Sequence, residues 1–137
     1  MAENEMDRTA AIKIFKDIRF WIFLFFLIRL LGITDPPLEA MHSWRQALTN
    51  MIARNFLEIS PNILYPRIDM AGDLTGIIGS EFPLFSYLVF LVSNIFGHDH
   101  WYGRPINLVV SSISLYYFFL IIKKYFSREI AFNATII

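Results

Sequence analysis

The chain has 137 residues, of which 55% are hydrophobic, 17% aromatic and only 18% charged, with a formal net charge of zero. Soluble domains carry about 25% charged residues, so this chain is short of the polar surface needed to cover a water-soluble core. Neutral charge leaves no basic footprint for nucleic acid, and the lack of cysteine excludes disulfides and thiolate metal sites.

Apolar residues collect in blocks of about 15 to 18, close to the roughly 17 to 25 that cross a bilayer as a helix. Residues 1–17 read as a polar tail, which the resemblance drawn below implies is cytoplasmic. Within it, Asp7 or Thr9 is placed to cap an amphipathic helix through Ile12, Ile14, Phe15 and Ile18. Lys13, Lys16 and Arg19 suit a phospholipid surface. No small-residue cleavage site follows the first apolar block, so it reads as a retained span rather than a signal peptide.

Residues 18–34 are the first predicted span, with Arg19 at one edge and Arg29 near enough to the other to snorkel. Asp35-Pro36-Pro37 ends it, because proline cannot continue a helix and restricts the residue before it. Residues 35–81 form a polar loop, which the resemblance drawn below implies is on the outer side. Inside it, residues 39–58 have helical spacing, with Met41, Trp44, Leu48, Met51, Ile52 and Phe56 on one side. That pattern predicts a helix lying along the membrane surface. The stretch up to residue 80 is turn-rich, with two prolines and three glycines.

Residues 82–97 are the second predicted span, with Pro83 in its first turn and Gly97 at its end. The link HDHWYGR follows, placing His98 and His100 across that span from the loop. Residues 105–122 are the third span, opened by Pro105, and Ser111, Ser112 and Ser114 offer hydrogen bonds to another helix. Residues 129–137 read as the start of an incomplete fourth span. The expected fold is therefore all-α, a polytopic helical membrane protein with an interfacial helix in its first outer loop. Charge does not set the orientation: with the tail inside, five Lys and Arg residues face inward and six outward.

The loop concentrates the reactive groups. Asp35 and Glu39 follow the first span, His42, Arg45 and Gln46 lie on one helical stretch, and Arg67, Asp69, Asp73 and Glu81 come later. A carboxylate at a membrane surface can take the proton of a hydroxyl as it attacks a sugar carbon. Arginines can neutralise a departing phosphate. Metal is not expected, because His42 has no histidine partner in the loop and no ligand spacing is recognisable.

Six strings occur in order around this loop: HSWRQA at 42–47, IARNF at 52–56, LYPRID at 64–69, GSEFPLFSYL at 79–88, FG at 96–97 and GRPINL at 103–108. Together they resemble the N-terminal part of bacterial GT-C glycosyltransferases, the polytopic family of protein O-mannosyltransferases and the lipid A aminoarabinose transferase. The resemblance implies a sugar donor on a polyprenyl phosphate, no separate cofactor, and a hydroxyl acceptor at the outer face of a bacterial inner membrane. It implies inverting transfer, with a loop carboxylate as base. Asp69 and Glu81 match acidic positions of the family, and Asp35 is a third candidate. Arg45, Arg67, His42 and Gln46 become candidate substrate contacts. Members often carry Asp directly after RQA, where this chain has Leu48. They also have many more spans, so the chain is expected to be a segment that is inactive without further helices or a partner chain. The rival expectation is a non-enzymatic membrane scaffold or accessory subunit. A transporter is the weakest reading, since no acid lies within the spans.

Overall fold

The computed structural model describes residues 15–36, 43–79 and 81–137. Most of the proposed tail helix, along with Glu39, Met41 and His42, lies outside the described residues; its described end does not run on through Ile18, because Asp17 is extended and caps α1. Among those described, the chain is all-helical: α1 (Ile18–Leu30), α2 (Ser43–Glu58), α3 (Leu84–Phe96), α4 (Gly103–Tyr125) and α5 (Arg128–Ile136). Two compact units divide it, one of residues 1–31 with 108–137 and the other of residues 32–107.

α4 has 23 residues and is the one helix among those described that is long and apolar enough to cross a membrane. At 1.5 Å per residue it reaches about 35 Å, against about 30 Å of hydrocarbon. Only 11% of its most apolar window is buried. A soluble core helix would hide most of that surface. Pro105 sits in its first turn, where the missing N–H costs nothing.

The other two predicted spans are shorter than expected. α1 has 13 residues and stops at Leu30 instead of running to residue 34. Leu31–Thr34 form a turn, and Gly32 has φ +71°, where a Cβ would lie 2.6 Å from Asp35 Oδ2. α3 also has 13 residues, between Pro83 at its N-cap and Gly97 at its C-cap. Each reaches about 20 Å as a helix. The breaks come from glycine and proline chemistry at the ends rather than from any loss of apolar character.

The unit of residues 15–31 and 108–137 has its core at Ile18, Phe119 and Ala131, flanked by Ile22, Tyr116 and Phe132. Asp17 caps α1 by accepting from the Arg19 amide, and Ser127 caps α5 by accepting from the Ile130 amide. Arg19 donates to the Tyr116 hydroxyl at 3.0 Å. The serines of α4 bond back to their own helix, Ser112 to the Leu108 carbonyl at 2.8 Å and Ser114 to that of Val110 at 2.8 Å. They do not reach across to a neighbour as expected, because a serine hydroxyl finds the carbonyl one turn back first.

The other unit is built on α2 against α3. Ile52, Ala53 and Phe56 of α2 meet Val89 and Phe90 of α3, with Leu48 and Tyr87 at the margin. The centre of the apolar stripe read from the sequence is covered by α3. Trp44, at its N-terminal end, stays exposed. After α2 the chain folds back as a small loop, with Ile68 N–H donating to the Gly76 carbonyl and Ile78 N–H to that of Pro66, both at 2.9 Å. Gly76 makes this closure possible: its φ is +70°, and a Cβ there would lie 2.5 Å from the Ile68 carbonyl oxygen. Gly76→Ala is expected to destabilise this unit by at least about 1 kcal/mol, read as a lower thermal midpoint in detergent. An unchanged midpoint would mean the loop relaxes without it.

Candidate functional site

Two clefts open in the unit of residues 32–107, and both are lined by Arg45, Thr49 and Phe85. The first, about 270 Å³, adds Leu48, Ile52, Pro66, Ile78, Glu81 and Phe82. The second, about 390 Å³, adds Gln46, Asn50, His100, Arg104 and Asn107. Arg45 and Thr49 are four apart on α2, one turn above the other, which is why one helix face serves both clefts.

The sequence-predicted site residues do not all converge. Arg45 and Glu81 share the lining of the first cleft with Phe82 and Phe85. They form no ion pair with each other among the described residues. Leu48 lines the same cleft. Gln46 faces the second cleft and accepts from Arg104 at 3.4 Å.

Asp69 lines neither cleft. Its carboxylate is held by the Arg54 guanidinium and by Asn55, whose Nδ2 donates to Oδ1 at 2.9 Å. Asn55 is only 3% exposed and also donates to the Arg67 carbonyl at 2.9 Å. Asp69 thus fastens the returning loop to α2. Arg67 is turned into the same loop: its backbone bridges Ile77 and its Nη1 donates to the Thr75 carbonyl at 3.2 Å. Asp35 is exposed, lines neither cleft and folds back over Gly32. His42 lies outside the described residues. No group of three or more His, Asp or Glu that would hold a metal occurs among the described residues.

The link 98–104 is the part that sequence reading misplaced. His100 lies beside Thr34, with Nε2 3.2 Å from its carbonyl oxygen, and Asn50 donates to the His100 carbonyl at 2.9 Å. Arg104 reaches the carbonyls of Gly32 and Ile33 at 3.2 Å each. The link therefore belongs with the loop and is not separated from it by α3. Arg104, Asn50 and Asn107 were not singled out from the sequence, and His100 was placed on the far side of the second span. The nearest signal was the GRPINL string, which contains two of them.

Asp99 titrates below the ordinary carboxyl value. The Trp101 indole hydrogen bond is the largest cause and the His100 amide, at 2.8 Å, adds to it, against an opposing desolvation. Because the folded-state value is the lower one, ionised Asp99 favours the folded link above the unfolded pKa. That contribution fades as pH falls through the folded value. Carboxyl titration by NMR should give a depressed pKa for Asp99 that moves back up in Trp101→Phe. An unmoved value in that variant would assign the shift elsewhere.

Comparison with protein-family models, with curated proteins and with solved structures finds no match to the chain.

Proposed function

We propose that the chain is the N-terminal, loop-bearing segment of a polytopic membrane glycosyltransferase acting at the outer face of a bacterial inner membrane. In this reading the donor is a sugar on a polyprenyl phosphate and the acceptor is a hydroxyl. The observation that carries it is the cleft lined jointly by Glu81 and Arg45 together with Phe82 and Phe85. The acceptor oxygen attacks the anomeric carbon while Glu81 takes its proton. The bond from that carbon to the phosphate oxygen breaks, and the phosphate leaves with the electron pair beside Arg45. Further membrane helices, from the same polypeptide or a partner chain, complete the donor pocket. Support for a membrane setting comes from α4, whose length fits a bilayer and whose apolar surface is largely uncovered.

The geometry favours Glu81 over Asp69 as the base, because Asp69 already accepts from Arg54 and Asn55. The test is sugar transfer by membranes containing the chain together with its completing helices, compared between wild type, Glu81→Gln and Asp69→Asn. Retention of full transfer in both variants would remove the catalytic assignment. A second reading, a non-enzymatic membrane scaffold, is favoured by Leu48, which puts an aliphatic side chain where relatives of the resembled family carry an acid. Stable capture of one partner membrane protein, insensitive to Glu81→Gln, would support that alternative.

A further inference from the structure

α1 and α4 run in opposite directions beside each other. Arg128, just past α4, donates to the Lys16 carbonyl at 3.1 Å. Ile18 meets Phe119, and Arg19 donates to the Tyr116 hydroxyl. Further along α1, Ile22, Phe23 and Phe26 share a groove with Tyr116 and Ser112. The start of α1 and the end of α4 therefore form one end of this unit. In the other unit, Arg104 holds the carbonyls of Gly32 and Ile33, and His100 lies beside Thr34. The segment that leaves after α1 thus returns to its point of departure as α4 begins. A segment whose two ends meet crosses a bilayer an even number of times. Among its described residues α3 is the one apolar helix, and it packs along α2, which carries Arg45, Arg54 and Glu58.

This path gathers charge. Lys16, Arg19, Lys123, Lys124 and Arg128 share one end, against two carboxylates, Asp17 and Glu129. All five cations are exposed, and none forms an ion pair among the described residues. Tyr125 beside them is exposed too, as rings at headgroup level usually are. The stretch of α4 between Arg104 and Lys123 carries no charged residue. It is about 28 Å long, close to the depth of a hydrocarbon core. We infer that this end of the α1–α4 pair is an interaction surface for anionic lipid headgroups of the cytoplasmic leaflet. α1 and α4 are then the two crossings, and α3 stays at the outer face with α2. With residues 1–19 and 123–128 on one side, seven Lys and Arg residues face inward and four outward, Arg29 within α1 left aside. Three crossings gave five against six, so the two-crossing path restores the inward bias that charge normally shows. This docking needs the membrane setting proposed above but no sugar transfer.

The chain has no cysteine, so single ones report cleanly. Asp73→Cys, His98→Cys and Phe126→Cys, all at exposed positions, are made in a bacterial host. Right-side-out membrane vesicles are then treated with an impermeant maleimide. Asp73→Cys and His98→Cys are expected to label from outside, and Phe126→Cys only after permeabilisation. Three crossings reverse the result for the last two, and labelling of Phe126→Cys from outside overturns the docking. Release of the chain by alkaline carbonate removes the membrane setting and the docking with it, whereas loss of transfer alone touches neither. The lipid itself is tested by titrating the chain, in nonionic detergent at low salt, with dihexanoyl phosphatidylglycerol and dihexanoyl phosphatidylcholine. The anionic lipid is expected to bind at least about tenfold more tightly, since each basic residue near an anionic surface contributes about fivefold. Lys123→Gln, Lys124→Gln and Arg128→Gln together should abolish that preference. The lysine pair alone, which leaves the Arg128 hydrogen bond to Lys16 intact, should cut it by about fivefold or more at an unchanged thermal midpoint. Equal binding of the two lipids by the wild type, or an undiminished preference in both variants, overturns the surface.

Discussion

Phe56→Ala is expected to destabilise the α2–α3 unit by about 3 to 5 kcal/mol, the largest stability loss of any single truncation in it. Phe56 is 2% exposed, and its ring lies edge-on to Tyr87 at 5.4 Å and against Phe90 at 5.9 Å. Truncation leaves a cavity between the two helices and adds the loss of two aromatic contacts. The effect should spread to the loop. Asn55 is the neighbour of Phe56 and fastens Arg67 and Asp69, so loosening α2 weakens both of its hydrogen bonds. Thermal unfolding in detergent should show the lower midpoint, and amide exchange at Ile68 and Ile78 should quicken. Ile59→Ala, at an exposed position of 56% accessibility, should stay within about 0.5 kcal/mol of wild type. Equal losses in the two variants would mean that α2 does not pack through Phe56.

The contrast between Phe56 and Trp44 explains how far the sequence could be read. Both belong to one apolar stripe at helical spacing, and periodicity reports that stripe faithfully. It does not report what covers the stripe. Phe56 is buried against α3 while Trp44 remains open, and only a partner helix distinguishes them. The same limit applies to the helix ends. Pro83, Gly97 and Pro105 mark boundaries through local backbone chemistry, so both ends of α3 and the start of α4 are legible to within two residues. The turn after Leu30 rests on Gly32 with positive φ, which an apolar run with one glycine does not announce.

Site geometry is less legible than the helices because its contacts are long-range. Asn50 meets the His100 carbonyl across 50 positions and Arg104 meets that of Ile33 across 71. Neither pairing leaves a local pattern. The acids illustrate this most directly. From sequence, Asp69 and Glu81 are equivalent loop carboxylates. In the fold, Arg54 and Asn55, adjacent on α2, take hold of Asp69, while Glu81 is placed at the edge of a cleft beside Arg45. What separates them is the position of a partner helix turn, which residue type and spacing do not encode.

That separation gives the prediction with the largest functional effect. If the chain works as proposed, Glu81→Gln lowers the rate of sugar transfer by about 10²- to 10⁴-fold, the contribution of a positioned general base. The substitution keeps the shape and the hydrogen-bonding reach of the side chain but removes its ability to accept a proton at neutral pH. Donor affinity should change little, since Arg45, Phe82 and Phe85 remain, so the loss falls on kcat rather than KM. Asp69→Asn should behave differently. Its carboxylate would have to release Arg54 before taking a proton, so its main task is to hold the loop. The variant should lower the thermal midpoint and reduce transfer only as far as the loop that carries Pro66 and Ile78 into the cleft is loosened. An Arg54→Gln variant should reproduce that pattern, because it breaks the same fastening from the other side. If Asp69→Asn instead abolished transfer at an unchanged midpoint while Glu81→Gln retained it, the base would be Asp69. The Arg54 contact would then describe a resting arrangement that opens before reaction.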